Sequence, residues 1–259
     1  MHGIRTSGTI VAVTKLYTDD AELYDIAFGW DVSDEVEWLF ERLGRPRTLL
    51  EPGCGSGRML EEFVRRGVGV AGIDVSGRMI ELARERLGED ADLRLADMTD
   101  FALGRTFDGA ISPINTLLHL TPEELQAHLR CMARHTPKYL VQVGLIDEGS
   151  HEPFAGSHWE AERGDTKLQC DWQDEEVDFL HGRSRQRSRI EVLSGPRAGN
   201  VLEEIHDMTL WTPETWATAI DASPYAEVAT YDGGVEKDRW PRVGRDATGG
   251  LLWHELVLT

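Results

Sequence analysis

The feature that most constrains this chain is the stretch Thr48-Leu49-Leu50-Glu51-Pro52-Gly53-Cys54-Gly55-Ser56-Gly57-Arg58. An apolar run ends in an acid, three glycines follow at alternate positions, and an amphipathic helical pattern begins at Met59. A buried strand that turns at once into a helix reads this way. Glycine reaches positive φ at little cost and carries no Cβ to hold a ligand off the backbone. The helix start beyond it offers unpaired N–H groups and the positive end of a dipole, which suit an anionic group such as a carboxylate.

Spacing narrows the ligand. A dinucleotide turn follows G-x-G-x-x-G/A, and counting from Gly53 puts Arg58 where the last small residue belongs. An acid ahead of the first glycine, Glu51, repels a pyrophosphate but faces an ammonium well. A nicotinamide dehydrogenase is therefore disfavoured, and a molecule with both an amino and a carboxylate end, such as S-adenosylmethionine, fits better. Cys54 reads as a small residue between glycines rather than a nucleophile.

Downstream, strands and helices alternate. Met59, Leu60, Phe63 and Val64 form one helix face, and Val68–Ile73 is a buried strand ending at Asp74. Ser76 caps a helix with inner face Met79, Ile80, Ala83 and Leu87. A short strand, Leu93–Ala96, ends at Asp97, and Phe107–Ile111 leads into Ser112-Pro113-Ile114-Asn115. Thr121-Pro122-Glu123-Glu124 is a capping box, and Tyr139–Ile146 is a long apolar strand. Five such alternations predict an α/β fold with a parallel sheet. Ahead of them, Val36, Leu39, Phe40 and Leu43 give a helix stopped by Gly44, while residues 17–30 mix aromatics and acids with no clean period. Thr9–Val13 has strand character.

After Asp147 the helical period is lost. Residues 166–174, 184–193 and 200–211 read as strands joined at His181-Gly182 and Ser194-Gly195-Pro196, an antiparallel insertion after the fifth strand. A helix starts at Thr212-Pro213, and Ala226–Tyr231 with Leu251–Leu258 reads as a closing antiparallel pair around a glycine-rich loop at 232–250. The division expected is 1–146 for an arm and ligand-binding core, 147–211 for the insertion, and 212–259 for elements completing the core.

Charge excludes some partners. With 46 acidic against 27 basic side chains, the net charge is −19, which repels nucleic acid and anionic membranes. No apolar run reaches a membrane span, and the first residues lack the apolar core of a signal peptide. Cys54, Cys131 and Cys170 are scattered, with neither a disulfide framework nor a zinc pattern, so a reducing cytoplasm and no metal are expected.

In open α/β sheets ligands sit beyond the carboxyl ends of the strands. Glu51, Asp74 and Asp97 close three successive strands, and Asp74 falls at the spacing expected of a ribose-binding acid, about 20 residues on. The chain resembles the class I S-adenosylmethionine-dependent methyltransferases, and among them the glycine N-methyltransferases and deoxysugar N,N-dimethyltransferases. Leu50 to Gly57, Gly72-Ile73-Asp74-Val75-Ser76 with Met79, Ala96-Asp97-Met98-Thr99-Asp100-Phe101, and Phe107 to Leu120 carry the likeness. The resemblance implies a Rossmann-like, seven-stranded, mostly parallel sheet. It implies that Glu51, Gly53, Cys54 and Gly55 meet the methionine moiety. Asp74 and Val75 would hold the ribose, Asp97, Met98 and Met79 would flank the adenine, and a carbonyl near Ser112 or Pro113 would take the amino group. Tyr24 and Trp30 would close the pocket, and Asn115 and His119 would face the acceptor, His119 as the general base. The insertion would serve as a lid or a homodimer contact, with Trp159, Trp172 and Trp211 available to wall the acceptor or to pack. The function implied is methyl transfer to nitrogen or oxygen of a small molecule; a module that binds the cofactor without transfer is the alternative. Two departures stand out. His135-Thr136-Pro137-Lys138 replaces the usual Pro-Gly-Gly turn, and Ile114 is bulkier than the glycine of some relatives.

Overall fold

The computed structural model describes residues 14–89, 91–147, 149, 156–233 and 240–259; the stretch with strand character at Thr9–Val13 lies outside them. The core is a sheet of β1 (Thr48–Pro52), β2 (Gly69–Asp74), β3 (Asp92–Leu95), β4 (Gly109–Ser112), β5 (Lys138–Leu145), β10 (Tyr225–Asp232), β11 (Arg242–Val243) and β12 (Gly249–Leu258). Their order is β11-β10-β12-β5-β4-β1-β2-β3. The five strands from β3 to β5 are parallel, and β12 enters antiparallel between β5 and β10. The described sheet thus has eight strands rather than seven. The extra one, β11, is a two-residue edge paired to β10 inside the expected glycine-rich loop, too short to leave a pattern in the sequence.

Successive strand residues point to opposite faces. Leu50, Ala71 and Val141 meet α5 (Pro122–Met132) and α6 (Pro213–Asp221) on one side. Leu49, Val70 and Leu140 meet α2 (Ser33–Arg42), α3 (Arg58–Arg65) and α4 (Gly77–Leu87) on the other. The helix signals read from sequence are present in the caps. Ser76 Oγ accepts from Met79 N, and Thr121 and Glu124 form a reciprocal capping box. Glu255 on β12 ties α2 to β5, since Arg42 Nη2 lies at 2.5 Å and Lys138 Nζ at 2.8 Å from its carboxylate.

The insertion is a separate four-stranded antiparallel sheet, β6 (Ser157–Arg163), β7 (Thr166–Asp178), β8 (Arg183–Ser194) and β9 (Val201–Thr209). β6 is one strand more than the sequence pattern gives. It is a mostly exposed edge strand whose apolar alternation is confined to Trp159 and Ala161. Residues 17–30, patternless in sequence, hold a helix, α1 (Ala21–Ala27). Leu16, Leu23 and Ala27 of this arm pack on Leu168, Cys170, Ile190 and Val192 of the inserted sheet. All three cysteines are free and buried.

Candidate functional site

The chain winds outward from β1 to β2 and β3, then returns to place β4 on the other side of β1. That reversal opens a crevice at the carboxyl ends of β1 and β4, the expected place for a ligand. The glycine turn and Pro113 sit there. Gly53, Gly55 and Gly57 all have positive φ (69°, 52° and 77°). A Cβ on Gly53 would lie 2.6 Å from Thr116 Cγ2, so the turn admits only glycine at that point. Cys54 is the small residue its spacing suggests: its Sγ lies where a Cβ on Gly72 of the adjoining strand would clash, at 2.7 Å.

A cavity of about 50 Å³ lies over the turn, lined by Tyr24, Phe28, Glu51, Gly53, Arg58 and Ile114 among others. It has room for the polar head of a ligand. Glu51 is 2% exposed, and its Oε2 has no hydrogen-bond partner. Burial raises its pKa well above the usual carboxylate range; the Arg58 guanidinium pulls the other way, and Asp74 adds to the rise. Arg58 stacks 4.6 Å over the Trp30 ring, and burial lowers its pKa from the usual value. An orphaned buried carboxylate and a guanidinium on one small cavity make a fitted receptor for a molecule bearing both an ammonium and a carboxylate.

Asp74 Oδ2 accepts from Gly55 N at 2.9 Å and Oδ1 from Ser76 N at 2.8 Å, so it braces the glycine turn against the start of α4. Val75 beside it is half-buried, and Met79 is buried in the core face of α4. Asp97 Oδ1 accepts from Thr99 N and Oγ1, which shapes the turn after β3, and Met98 O receives the His128 ring nitrogen at 2.9 Å. Ser112 is fully buried.

Several expected residues stand elsewhere or differently. Trp30 is outside the cavity lining, and Phe28, stacked at 4.4 Å on Tyr24, takes its place. The Pro113 carbonyl already accepts from Thr116 N and Oγ1. Asn115 does not present its carboxamide to the cavity: Oδ1 accepts from Gly144 N at 2.8 Å and Nδ2 donates to Gly250 O at 3.0 Å, clasping the loop to β5 and β12. The clasp holds Ile114 and Asn115 at positive φ (44° and 60°), an uncommon conformation for a β-branched residue. Ile114 N donates to Gln142 Oε1 at 2.7 Å.

His119 ends the 3₁₀ turn Thr116–His119, with the Tyr17 hydroxyl 3.4 Å from its Nε2. Part of its surface is open to solvent, yet the packed surroundings and the nearby His206 imidazole lower its pKa to about 4. His206 is itself buried, stacked at 4.6 Å on Trp172 of the inserted sheet, with Nε2 2.8 Å from Ser188 Oγ. Trp159 donates to Ala27 O of the arm, and Trp211 is core, against Trp216. Among the described residues no cluster of side chains is arranged to hold a metal. Arg58, Phe28, Thr116 and His206 were not singled out from sequence as site residues. Only Arg58, at the first turn of the helix after the glycines, left a local signal.

Comparison with known proteins agrees with this fold. Residues 49–138 match the family model described as a methyltransferase domain. The chain is 34% identical over 125 residues to a dTDP-3-amino-3,4,6-trideoxy-alpha-D-glucopyranose N,N-dimethyltransferase of Streptomyces venezuelae, a match covering 45% of this chain and 52% of that one. It thus spans about half the length of that relative. A dTDP-3-amino-3,6-dideoxy-alpha-D-glucopyranose N,N-dimethyltransferase of Streptomyces fradiae is 27% identical over 230 residues, 78% of this chain and 82% of its own. In fold, the crystal structure of Streptomyces venezuelae DesVI superposes with a TM-score of 0.75 at 24% identity, over 93% of this chain and 99% of that one. Residues 49–138 thus resemble a methyltransferase domain, and the fold of the described chain is similar to that of DesVI.

Proposed function

We propose that the chain transfers a methyl group from S-adenosylmethionine to the amino nitrogen of a small, sugar-like acceptor. The observation that carries this is the cavity itself, where the unpartnered Glu51 carboxyl and Arg58 meet over the glycine turn. Glu51 would take the cofactor's ammonium and Arg58 its carboxylate, with Gly53, Cys54 and Gly55 admitting the chain between them. Asp74 and Val75 would hold the ribose, Met79, Asp97 and Met98 the adenine side, and Tyr24 with Phe28 would cover the site. When bound, the cofactor supplies a methyl group on a sulfonium centre, already activated for displacement.

The protein's part is alignment and exclusion of water, which can supply much of such a rate. Tyr24 and Phe28 provide the dry wall. His119, neutral at ordinary pH, would receive the acceptor's proton at Nε2, which lies 3.4 Å from the Tyr17 hydroxyl. The nitrogen acceptor is suggested by the aminosugar N,N-dimethyltransferases the chain resembles. Residues 147–211 would serve as a unit apart from the core at 1–146 and 212–259. On the outer face of the inserted sheet, Arg185, Arg187 and Arg189 run between acids of the flanking strands. A face of alternating charge can complement itself across a two-fold axis, so we place a homodimer contact there. Sedimentation equilibrium showing a dimer that Arg187→Glu breaks would support it; a monomer at every concentration would reject it. Three free, buried thiols fit a cytoplasmic setting.

The test is calorimetric titration with S-adenosylhomocysteine, followed by methyl transfer from labelled cofactor to a panel of dTDP-aminosugars. Heat and labelled product support the reading. Heat with no transfer to any amine would favour a binding module, and no heat would remove the cofactor.

A further inference from the structure

The arm that covers the cavity is mounted on the inserted sheet rather than on the core. Glu204 of β9 accepts from the backbone N–H groups of Lys15 and Leu16 at 2.8 and 3.0 Å. Arg197 pairs with Asp20 at the start of α1. β6 then contributes two side chains four residues apart: Trp159 Nε1 donates to Ala27 O at 2.7 Å, and Arg163 Nη2 donates to Asp25 O at 2.7 Å. Beneath these bonds the apolar faces of the arm and sheet are packed together. α1 therefore has its support on one side and its task on the other.

Asp25 joins the two. It follows Tyr24 on α1, whose C-cap is Phe28, and both rings line the cavity. Its buried carboxylate accepts from Ser56 Oγ, the residue between the second and third glycines. It also receives Arg86 Nη2 of α4 at 2.9 and 3.0 Å and Arg163 Nη1 at 2.5 Å. Arg86 Nη1 reaches back to both Ser56 O and Oγ at 2.8 Å. Gly29 leaves the space: a Cβ there would stand 3.3 Å from Arg163 Nη2 and 3.0 Å from Asp25 O. One carboxylate thus links glycine turn, cavity cover and inserted sheet through charge-assisted bonds, roughly twice as strong as neutral ones.

We propose that Asp25 and Arg163 are positioning residues for cofactor retention, through which the inserted sheet holds α1 down over the glycine turn. Tyr24 and Phe28 of this arm line the cavity over the glycine turn, so lifting α1 would uncover the polar head of the cofactor and speed its release. Lifting it breaks the Asp25 bonds to Ser56 and Arg86 on the core side, or the Arg163 pair on the sheet side. Arg163 is half exposed, so its pair is the one that salt weakens. The inference rests on reading the cavity as the cofactor site.

The experiment measures association and dissociation of S-adenosylhomocysteine by stopped-flow tryptophan fluorescence on the full chain, at low and high salt. Arg163→Met should raise the dissociation rate on the order of ten-fold, the scale of losing a charge-assisted bond, with little change in association. The salt dependence of release should flatten in that variant. Arg163→Lys should recover part of the effect, and Asp25→Asn should match or exceed it. If Arg163→Met does not fold, Trp159→Phe, which deletes only the bond to Ala27 O, should give a smaller rise of the same kind. Wild-type binding with release unchanged in the variants would overturn the proposal and leave the cofactor reading standing. No binding by the wild-type chain would overturn both.

Discussion

At the scale of single residues, Glu51 makes a claim that solution chemistry can test. Burial holds its carboxyl well above the usual range, so it stays protonated to higher pH in the folded chain than in the unfolded one. The sign follows: Glu51 favours the folded state at low pH, and that contribution is lost as pH rises through the raised value. An ammonium in the cavity reverses the preference. Binding of S-adenosylhomocysteine should therefore release a proton, seen as binding heats that vary with buffer ionisation enthalpy. Glu51→Gln should abolish that release and weaken binding by about 1.5–3 kcal/mol, the value of hydrogen bonds to a charged group. His119 makes a second claim. With its pKa lowered to about 4, it is neutral well below the pH at which an ordinary imidazole charges. The profile of kcat/KM should show no acid limb near pH 6.5; a limb there that disappears in His119→Asn would show that His119 titrates as an ordinary imidazole and contradict the lowered pKa. Glu51, the glycines and Asp74 were legible in the sequence because a turn, an acid before it and an acid at fixed spacing are local signals. Asn115 misled because the sequence does not show that its carboxamide is consumed by Gly144 and Gly250, distant along the chain.

At the scale of elements, legibility followed how a helix or strand is stabilised. α4 and α5 announce themselves through caps and an apolar stripe, each set by neighbours three or four residues away. α1 gives no such stripe, because the inserted sheet packs one side and the cavity takes rings from the other. The mostly exposed edge strand β6 and the two-residue β11 leave too little apolar pattern to be read from sequence. Glu255 ties three elements together. Burial pushes its carboxyl up, but the bonds from Lys138 and Arg42 outweigh this and hold its pKa below the usual value. Its contribution is present above the ordinary carboxylate range and lost as pH falls through the depressed value. Glu255→Gln should cost about 1–3 kcal/mol near neutral pH, since both cations keep partial access to water. The variant's unfolding midpoint should also respond less to acid. An unchanged urea midpoint at pH 7 would show that the tie between α2, β5 and β12 contributes nothing.

At the scale of the whole molecule, a net charge of −19 opposes the compact state. Raising sodium chloride from about 10 to about 150 mM shortens the range of that repulsion to about 8 Å. The melting temperature should rise over this interval; a fall would mean that the surface ion pairs outweigh the repulsion. The position of β12 has a further meaning. It lies between β5 and β10, and a Cβ on Gly144 would lie 2.7 Å from Gly250 O, the atom that fastens Asn115 beside the cavity. A wall of the crevice laid down by residues 113–116 is thus finished by a strand made more than a hundred residues later. On a translating ribosome the glycine turn and the parallel strands are made early, while this side of the crevice stays open until residues 249–258 have been synthesised. The crevice is in this way completed only by the last of the described strands to be synthesised.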